Sequence, residues 1–465
     1  MKHQQRIHEI IEQKRDVLIE VSNKIWEYAE TRFEEFKSAE LLCKTLESEG
    51  FVVQRGVGGI ETAFIGSYGS GKPVVAILGE YDALSGLSQK GGVTRPDPVE
   101  VGGNGHGCGH NLLGTGSLAA ALALRYYMEE NHLPGIVRYY GCPGEEGGSG
   151  KTFMAREGLF DDVDFALSWH PGTKNEVWSS SSLANYQVYY KFTGRSSHAA
   201  ASPHLGRSAQ DAVELMNIGV NYLREHIIPE ARVHYAVTNT GGISPNVVQA
   251  EAEVLYLIRA PKVPQVEEIY QRVCDIAKGA ALMTGTQVEI VFDKACSNLI
   301  PNNVLETIMH RNFTELGVPV HDEAELQLAK DIRTTLSEAD KTSELPELQG
   351  RDLANRLEPY RSTSNAMPGS TDVGDVSWIT PTAQCYTACE ALGTPFHTWQ
   401  VVAQGTTSLA QKGMLHAGKV IAATAVEVMQ NPEIIESAKQ ELQVRLGGQK
   451  YVCPIPKHVK PSAIK

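Results

Sequence analysis

Residues 102 to 111 read GGNGHGCGHN, two histidines and a cysteine set among five glycines. Cys108 and His110 stand two apart, so in locally extended backbone their side chains point the same way. Glycine on either side lets the chain bend without Cβ clashes. A thiolate and an imidazole aimed at one point are the start of a metal site, although a Cys-x-His pair alone is also what a flexible loop can contain by chance. His106 fits a pocket wall as readily as a third ligand.

Three more clusters could do chemistry with it. GCPGEEGGSG (141–150) holds Glu145 and Glu146. Adjacent carboxylates point in different directions, so one can bind metal while the other serves as a base toward substrate. The alternative is an ordinary acidic turn. In SWHPG, His170 precedes a proline, which favours extended geometry and suits a ligand held at a strand end. His397 lies in PFHTWQ, beside aromatics, where a packed core histidine is the rival reading. ILGEYDALSG adds Glu80 and Asp82 at another strand end. His416 reads as a helix-surface residue, and Cys142, Cys385 and Cys389 as structural.

These side chains need elements to position them. Ile7, Ile11, Leu18, Val21, Ile25 and Tyr28 recur at helical spacing, so the chain opens with an amphipathic helix, followed by another over 34–48. FVVQR, ETAFIGS and PVVAILG read as strands, 112–131 as a buried helix, IVRYYGC and DFALSWH as strands flanking a short helix at 150–158. Such alternation predicts a layered α/β domain. Its ligand crevice belongs at the carboxyl ends of the strands. Cys108, His110, Glu145, Glu146 and His170 all fall at or after strand ends.

From 184 to 295 the order becomes β-α-β-β-α-β, the ferredoxin-like arrangement, inserted into the larger domain. The expected boundaries are 1–183 and 296–465 for the larger domain and 184–295 for the insert. Residues 320–362 are polar and read as an exposed insertion. TAQCYTA is a strand and 406–430 a helix. The tail CPIPKHVKPSAIK is proline-rich and reads as irregular.

With 465 residues, two or three domains are expected. The net charge of −13 argues against nucleic acid and an anionic membrane surface as partners. Eight scattered cysteines form no disulfide framework, and no stretch has signal-peptide or membrane-span character. A reduced, cytoplasmic protein is the expectation.

The ordered series EYDAL, GHGCGHN, PGEEGGSG, SWHPG, SSHAAASPHLGRSAQDA, NVVQAEAEVLYLIR, GSTDVGDVS and HTWQ resembles the aminoacylase and carboxypeptidase superfamily of dinuclear metallohydrolases. More narrowly it is similar to the amidohydrolase branch that contains the indole-acetyl-amino-acid hydrolases. The resemblance implies a mixed-sheet catalytic domain with an inserted lid and dimerisation domain. It implies two divalent metal ions per subunit, zinc or manganese, held by Cys108, His110, Glu146, His170 and His397. Glu145 would be the general base and Asp82 would steady a ligand. His198 would reach the site of a partner subunit to stabilise the oxyanion, and Asn246 and Arg259 would grip the substrate carboxylate. Two four-coordinate ions need about eight positions. These are filled if a water bridges and either the Cys108 thiolate also bridges or Glu146 is bidentate. The implied activity is cleavage of N-acyl amino acids, with p-aminobenzoyl-glutamate the leading substrate. A dipeptidase, or a non-catalytic subunit of a hetero-oligomer, is the alternative. The expected partner is a second copy or a related chain. Asn111 stands where the branch usually has aspartate.

Overall fold

The computed structural model describes residues 3–342, 348, 350–363 and 365–463. The opening amphipathic segment forms two helices, α1 (His3–Gln13) and α2 (Arg15–Tyr28), broken at Lys14. After α3 (Phe36–Ser48) come β1 (Val52–Arg55), β2 (Phe64–Ser70), β3 (Val74–Glu80), α4 (His110–Asn131), β4 (Gly135–Cys142), α5 (Gly150–Arg156) and β5 (Phe165–Gly172). Two short strands follow, β6 (Glu176–Trp178) and β7 (Ser181–Ser182). The insert comprises β8 (Ala184–Thr193), α6 (Ala209–Leu223), β9 (Arg232–Asn239), β10 (Glu251–Ala260), α7 (Val263–Thr284) and β11 (Gln287–Cys296). The chain returns through α8 (Asn303–Leu316), α9 (Glu323–Thr334), α10 (Glu338–Thr342), β12 (Ala366–Met367), α11 (Val373–Ser377) and β13 (Thr382–Ala388). It ends with α12 (Trp399–Gln404), α13 (Ser408–Gln430) and α14 (Pro432–Leu446).

The main sheet has the order β1-β2-β4-β3-β5-β13-β6. Its middle strands β4, β3, β5 and β13 are parallel, while β1, β2 and β6 run antiparallel to their neighbours. Parallel strands are buried on both faces, and β3 is buried along its whole length. On one face lie α4 and α13, whose small residues allow close approach. A Cβ on Gly116 would lie 2.5 Å from the Trp169 ring, and one on Gly418 would lie 2.8 Å from Ala119 Cβ. The smaller sheet, order β11-β8-β10-β9, is antiparallel. On β10 buried positions alternate with partly exposed ones, because only one face is covered, by α6 and α7. This is a layered α/β domain carrying a βαββαβ unit.

Two expectations need correction. The segment 320–362 is not an exposed insertion: α9 opens with an Asp322–Glu325 capping box, and Ala329, Ile332 and Leu353 pack with Ala391 and Leu409. Its residues 343–347 and 349 lie outside the described residues. His416 is not on the surface of α13 but buried, 5.2 Å from the Phe313 ring. Beyond 430 the chain continues in α14, whose apolar residues Ile435, Ala438, Leu442 and Leu446 form one buried stripe. Among the described residues, no helix is long and apolar enough to cross a membrane.

One buried acid makes stability depend on pH. Glu306 in α8 accepts from the Asn302 N–H at 2.9 Å and the Tyr360 hydroxyl at 2.8 Å, yet burial pushes its carboxyl up to about 7. A raised folded-state value means its contribution is complete below the unfolded value of 4.5 and is lost as pH rises to about 7. The shift corresponds to roughly 3 kcal/mol. Glu306→Gln is therefore expected to unfold at higher denaturant than the parent at pH 8, with the gap closing by pH 4.5. Denaturation midpoints at the two pH values check this; a constant gap would remove Glu306 as the source.

Candidate metal centre

The glycine-rich loop ends on the N-terminus of α4. Gly109, with φ 72°, sits one residue before the helix, in a region that L side chains avoid. A Cβ there would also lie 2.8 Å from Pro171 Cγ. At Gly107 a Cβ would meet Leu87 Cδ1 at 2.4 Å, and the His397 N–H donates to the Gly107 carbonyl at 2.8 Å. Cys108 and His110 thus leave either side of a sharp turn, and the 397 segment backs directly onto it. His397 itself has φ 61°, which costs a non-glycine residue about 1–2 kcal/mol.

Four strand ends feed the same point. Past β3, Asp82 Oδ1 lies 2.9 Å from His110 Nδ1, and its Oδ2 accepts from the Glu146 N–H at 2.8 Å. One aspartate therefore orients an imidazole and fixes the loop after β4. That loop is pinned further by Glu35, which accepts from the Gly144 N–H at 2.9 Å, and by Arg32, which donates to the Gly147 carbonyl. On β5, His170 Nδ1 is 2.7 Å from the Pro171 carbonyl, leaving Nε2 to face Cys108 Sγ at 3.5 Å. Beyond β13, His397 Nε2 lies 3.0 Å from Glu146 Oε1.

The ligand atoms of Cys108, His110 and His170 lie within 4.8 Å of one another, and so do those of Cys108, Glu146 and His397. Cys108 belongs to both groups. A third group, Glu80, His110 and Glu145, shares His110 with the first. Buried His110 Nε2 and Glu146 Oε1 have ion-pair contacts, to Glu80 Oε2 at 3.3 Å and to His397 Nε2 at 3.0 Å, but no aligned hydrogen bond among the described residues, which leaves both atoms open to a cation. The electrostatics ask for a cation too. Burial, then Glu146 and Glu145, push the Cys108 thiol well up. Burial, then Glu80 and Glu146, push the Glu145 carboxyl well up. At His110 burial opposes charge, but Asp82 and Glu80 outweigh it and raise the imidazole to about 10. Thiolate, imidazole and carboxylate donors packed this tightly fit a pair of divalent ions, whose binding displaces such protons.

Glu145 is half-buried, and its side chain makes no hydrogen bond or ion pair among the described residues, so its carboxylate is uncommitted. His198 and Asn246 are brought together on the lid but not to the cluster: both are exposed, and the Ala199 N–H donates to the Asn246 carbonyl at 2.9 Å. Arg259 on β10 donates to Ser370 Oγ at 3.0 Å and feels the charges of Glu145 and Glu146. Asn111 donates to Ser22 and to the Gly405 carbonyl, a packing role that needs an amide rather than an acid.

The sequence profile described as peptidase family M20/M25/M40 matches residues 76–386. The chain belongs to this family. Among M20/M25/M40 relatives, it is 54% identical to a p-aminobenzoyl-glutamate hydrolase subunit of Escherichia coli K12, over 99% of this chain and 98% of that one. It is 29% identical to Xaa-Arg dipeptidase of Mus musculus, over 95% and 92% of the two chains. The fold is similar to that of the YXEP protein of Bacillus subtilis, described as a dinuclear metal binding peptidase from the M20 family. There the TM-score is 0.55 at 17% identity, covering 90% of this chain and 99% of that one.

In this M20/M25/M40 chain several residues that shape the site carry no plain signal in the sequence. Lys151 is wholly buried with Nζ 2.6 Å from both Glu80 Oε1 and Asp372 Oδ1. Asp375 gathers Thr152, Ser297 and Tyr451 by hydrogen bonds of 2.7 to 2.9 Å from their hydroxyls. These contacts explain the acids of GSTDVGDVS: they tie α5 and the end of β11 beneath the 145 loop. A lysine directly after GGSG, opening a buried helix, was the available hint. Arg32, paired with Asp293 at 3.0 Å, had none.

Proposed function

We propose that the chain is a metal-dependent amidohydrolase acting on N-acyl amino acids, p-aminobenzoyl-glutamate first among them. The observation that carries the reading is the pair of ligand groups sharing Cys108, with the uncommitted Glu145 beside them. The substrate follows from the Escherichia coli hydrolase chain, which matches essentially end to end. Cys108, His110, Glu146, His170 and His397 would hold two ions; the softness of Cys108 favours zinc, and manganese is the alternative. When bound, such ions polarise an amide carbonyl and acidify water.

The chain's own groups do the rest. Glu145 takes the proton of the attacking water and returns it to the amine nitrogen as the C–N bond breaks, leaving a carboxylate and a free amino acid. Asp82 holds the orientation of His110. His198 Nδ1 accepts from the N–H groups of Ala200 and Ala201 at 3.2 and 3.1 Å, so Nε2 carries the proton and faces outward. From the lid of a second subunit, identical or related, that N–H would steady the developing oxyanion, with Asn246 and Arg259 on the substrate carboxylate. The proposed division is a catalytic domain of 1–183 and 296–465 and a lid of 184–295, in a cytoplasmic enzyme.

The similarity to an Xaa-Arg dipeptidase keeps a peptide substrate as the second reading. A panel of N-aroyl glutamates, N-acetyl amino acids and dipeptides separates the two. The expected result is fastest hydrolysis of the aroyl glutamate, loss of activity with a chelator, and recovery with zinc or manganese. Activity that survives complete metal removal would sink the proposal. Absence of bound metal in a chain that only supports a partner's turnover would assign it the role of a non-catalytic subunit.

A further inference from the structure

Beside the metal-centre residues lies a chamber of about 530 Å³, within the usual size of a small-molecule site. It begins at Tyr386. On β13, Tyr386 pairs in register with His170 of β5, so both side chains leave the same face of the sheet, and their rings are 5.7 Å apart. On the other side, Trp178 of β6 stacks on Tyr386, with centroids 5.4 Å apart and 19° between planes. The Trp178 indole N–H is fixed by the Ser180 carbonyl at 2.7 Å, which holds the ring in place. The far wall comes from the segment that follows α10. There Arg356 meets Glu358 through hydrogen bonds of 2.9 and 3.0 Å, and Arg361 lines the chamber without an ion-pair partner among the described residues.

Resting on the hydrolase reading above, we propose that this chamber receives the acyl arm of the substrate and selects a flat aryl group with a polar far end. With the amide carbonyl among the metal ligands and Arg259 on the carboxylate of the amine side, the acyl side is left to the sheet face that carries His170, where Tyr386 is the next residue. Two stacked rings in its wall suit another ring, since offset and edge-on aromatic contacts at about 4.5–7 Å add to simple burial. The ion-paired and cationic far wall disfavours a long aliphatic arm, which would strip water from those charges without replacing it. The 320–362 segment, packed on the catalytic domain, thereby sets the length of the arm.

The test uses full-length, metal-loaded protein and the two products as probes, p-aminobenzoate for the acyl side and glutamate for the amine side. Calorimetric titration is expected to show Trp178→Ala weakening p-aminobenzoate at least tenfold while glutamate affinity and metal content stay unchanged. Trp178→Phe, which keeps a ring, should remain within about threefold of the parent. Unchanged p-aminobenzoate affinity in Trp178→Ala, or equal weakening of both products, overturns the proposal, as does a parent protein that does not bind p-aminobenzoate. Because binding is read without turnover, a parent that binds p-aminobenzoate but hydrolyses no amide defeats the hydrolase reading alone.

Discussion

Glu145→Gln is expected to keep both metal ions and lose about 10³-fold in kcat, the range that general-base removal ordinarily costs. The variant keeps the shape and hydrogen-bonding reach of the side chain and removes only its capacity to take a proton. Nothing in the fold leans on that capacity: the 145 loop is held by Glu35 at Gly144, Asp82 at Glu146 and Arg32 at Gly147, all through backbone groups of its neighbours. Structure and ligation should therefore survive. Metal content by elemental analysis and kcat with saturating substrate check both halves. Turnover within tenfold of the parent would remove Glu145 from the base role. Loss of metal together with turnover would instead make it a ligand, through the group it forms with Glu80 and His110.

The second large effect falls on stability. Lys151→Met is expected to cost about 3–5 kcal/mol, the penalty for leaving a buried charge without its partner. Burial disfavours the Lys151 charge, but Asp372 and Glu80 more than compensate and hold it protonated. Methionine fills similar volume, so the loss is electrostatic rather than a cavity. With the ammonium gone, Glu80 and Asp372 face one another inside the protein, and Glu80 is 3.3 Å from His110 Nε2. Metal affinity should fall along with the denaturation midpoint. The double variant Lys151→Met/Asp372→Asn, which also removes one stranded carboxylate, should regain part of the loss. A single variant within about 1 kcal/mol of the parent, or a double variant less stable than the single, would show that the triad does not support the fold as argued.

The candidate donor loops could be picked out in the chain because their backbone chemistry is local: Cys-x-His among glycines, paired glutamates after a strand and His-Pro at a strand end. Each alone is a modest signal with a structural rival, and it is the ordered series of motifs, by its resemblance, that implies a ligand set. Strand and helix periodicities placed those loops at one edge of a sheet. The contribution of Lys151 was not readable, since its partners Glu80 and Asp372 lie 71 residues before it and 221 after it in the chain. Residues 320–362 misled for a related reason. Their polar surface is real, but the few apolar side chains that anchor them, Ala329, Ile332 and Leu353, meet partners near 391 and 409. His416 looked peripheral because a helix shows its polar residue in sequence without showing which neighbour covers it.

The sequence by itself determined the candidate donor types, their placement at strand ends and the layered α/β plan with its inserted βαββαβ unit, because periodicity and backbone restriction are properties of short stretches. Only the tertiary structure decided that Cys108 is common to both ligand groups, that Asp82 serves His110 and Glu146 at once, and that Trp178 and Tyr386 open a chamber beside them. Those outcomes depend on distances between residues remote in the chain, set by sheet order and register.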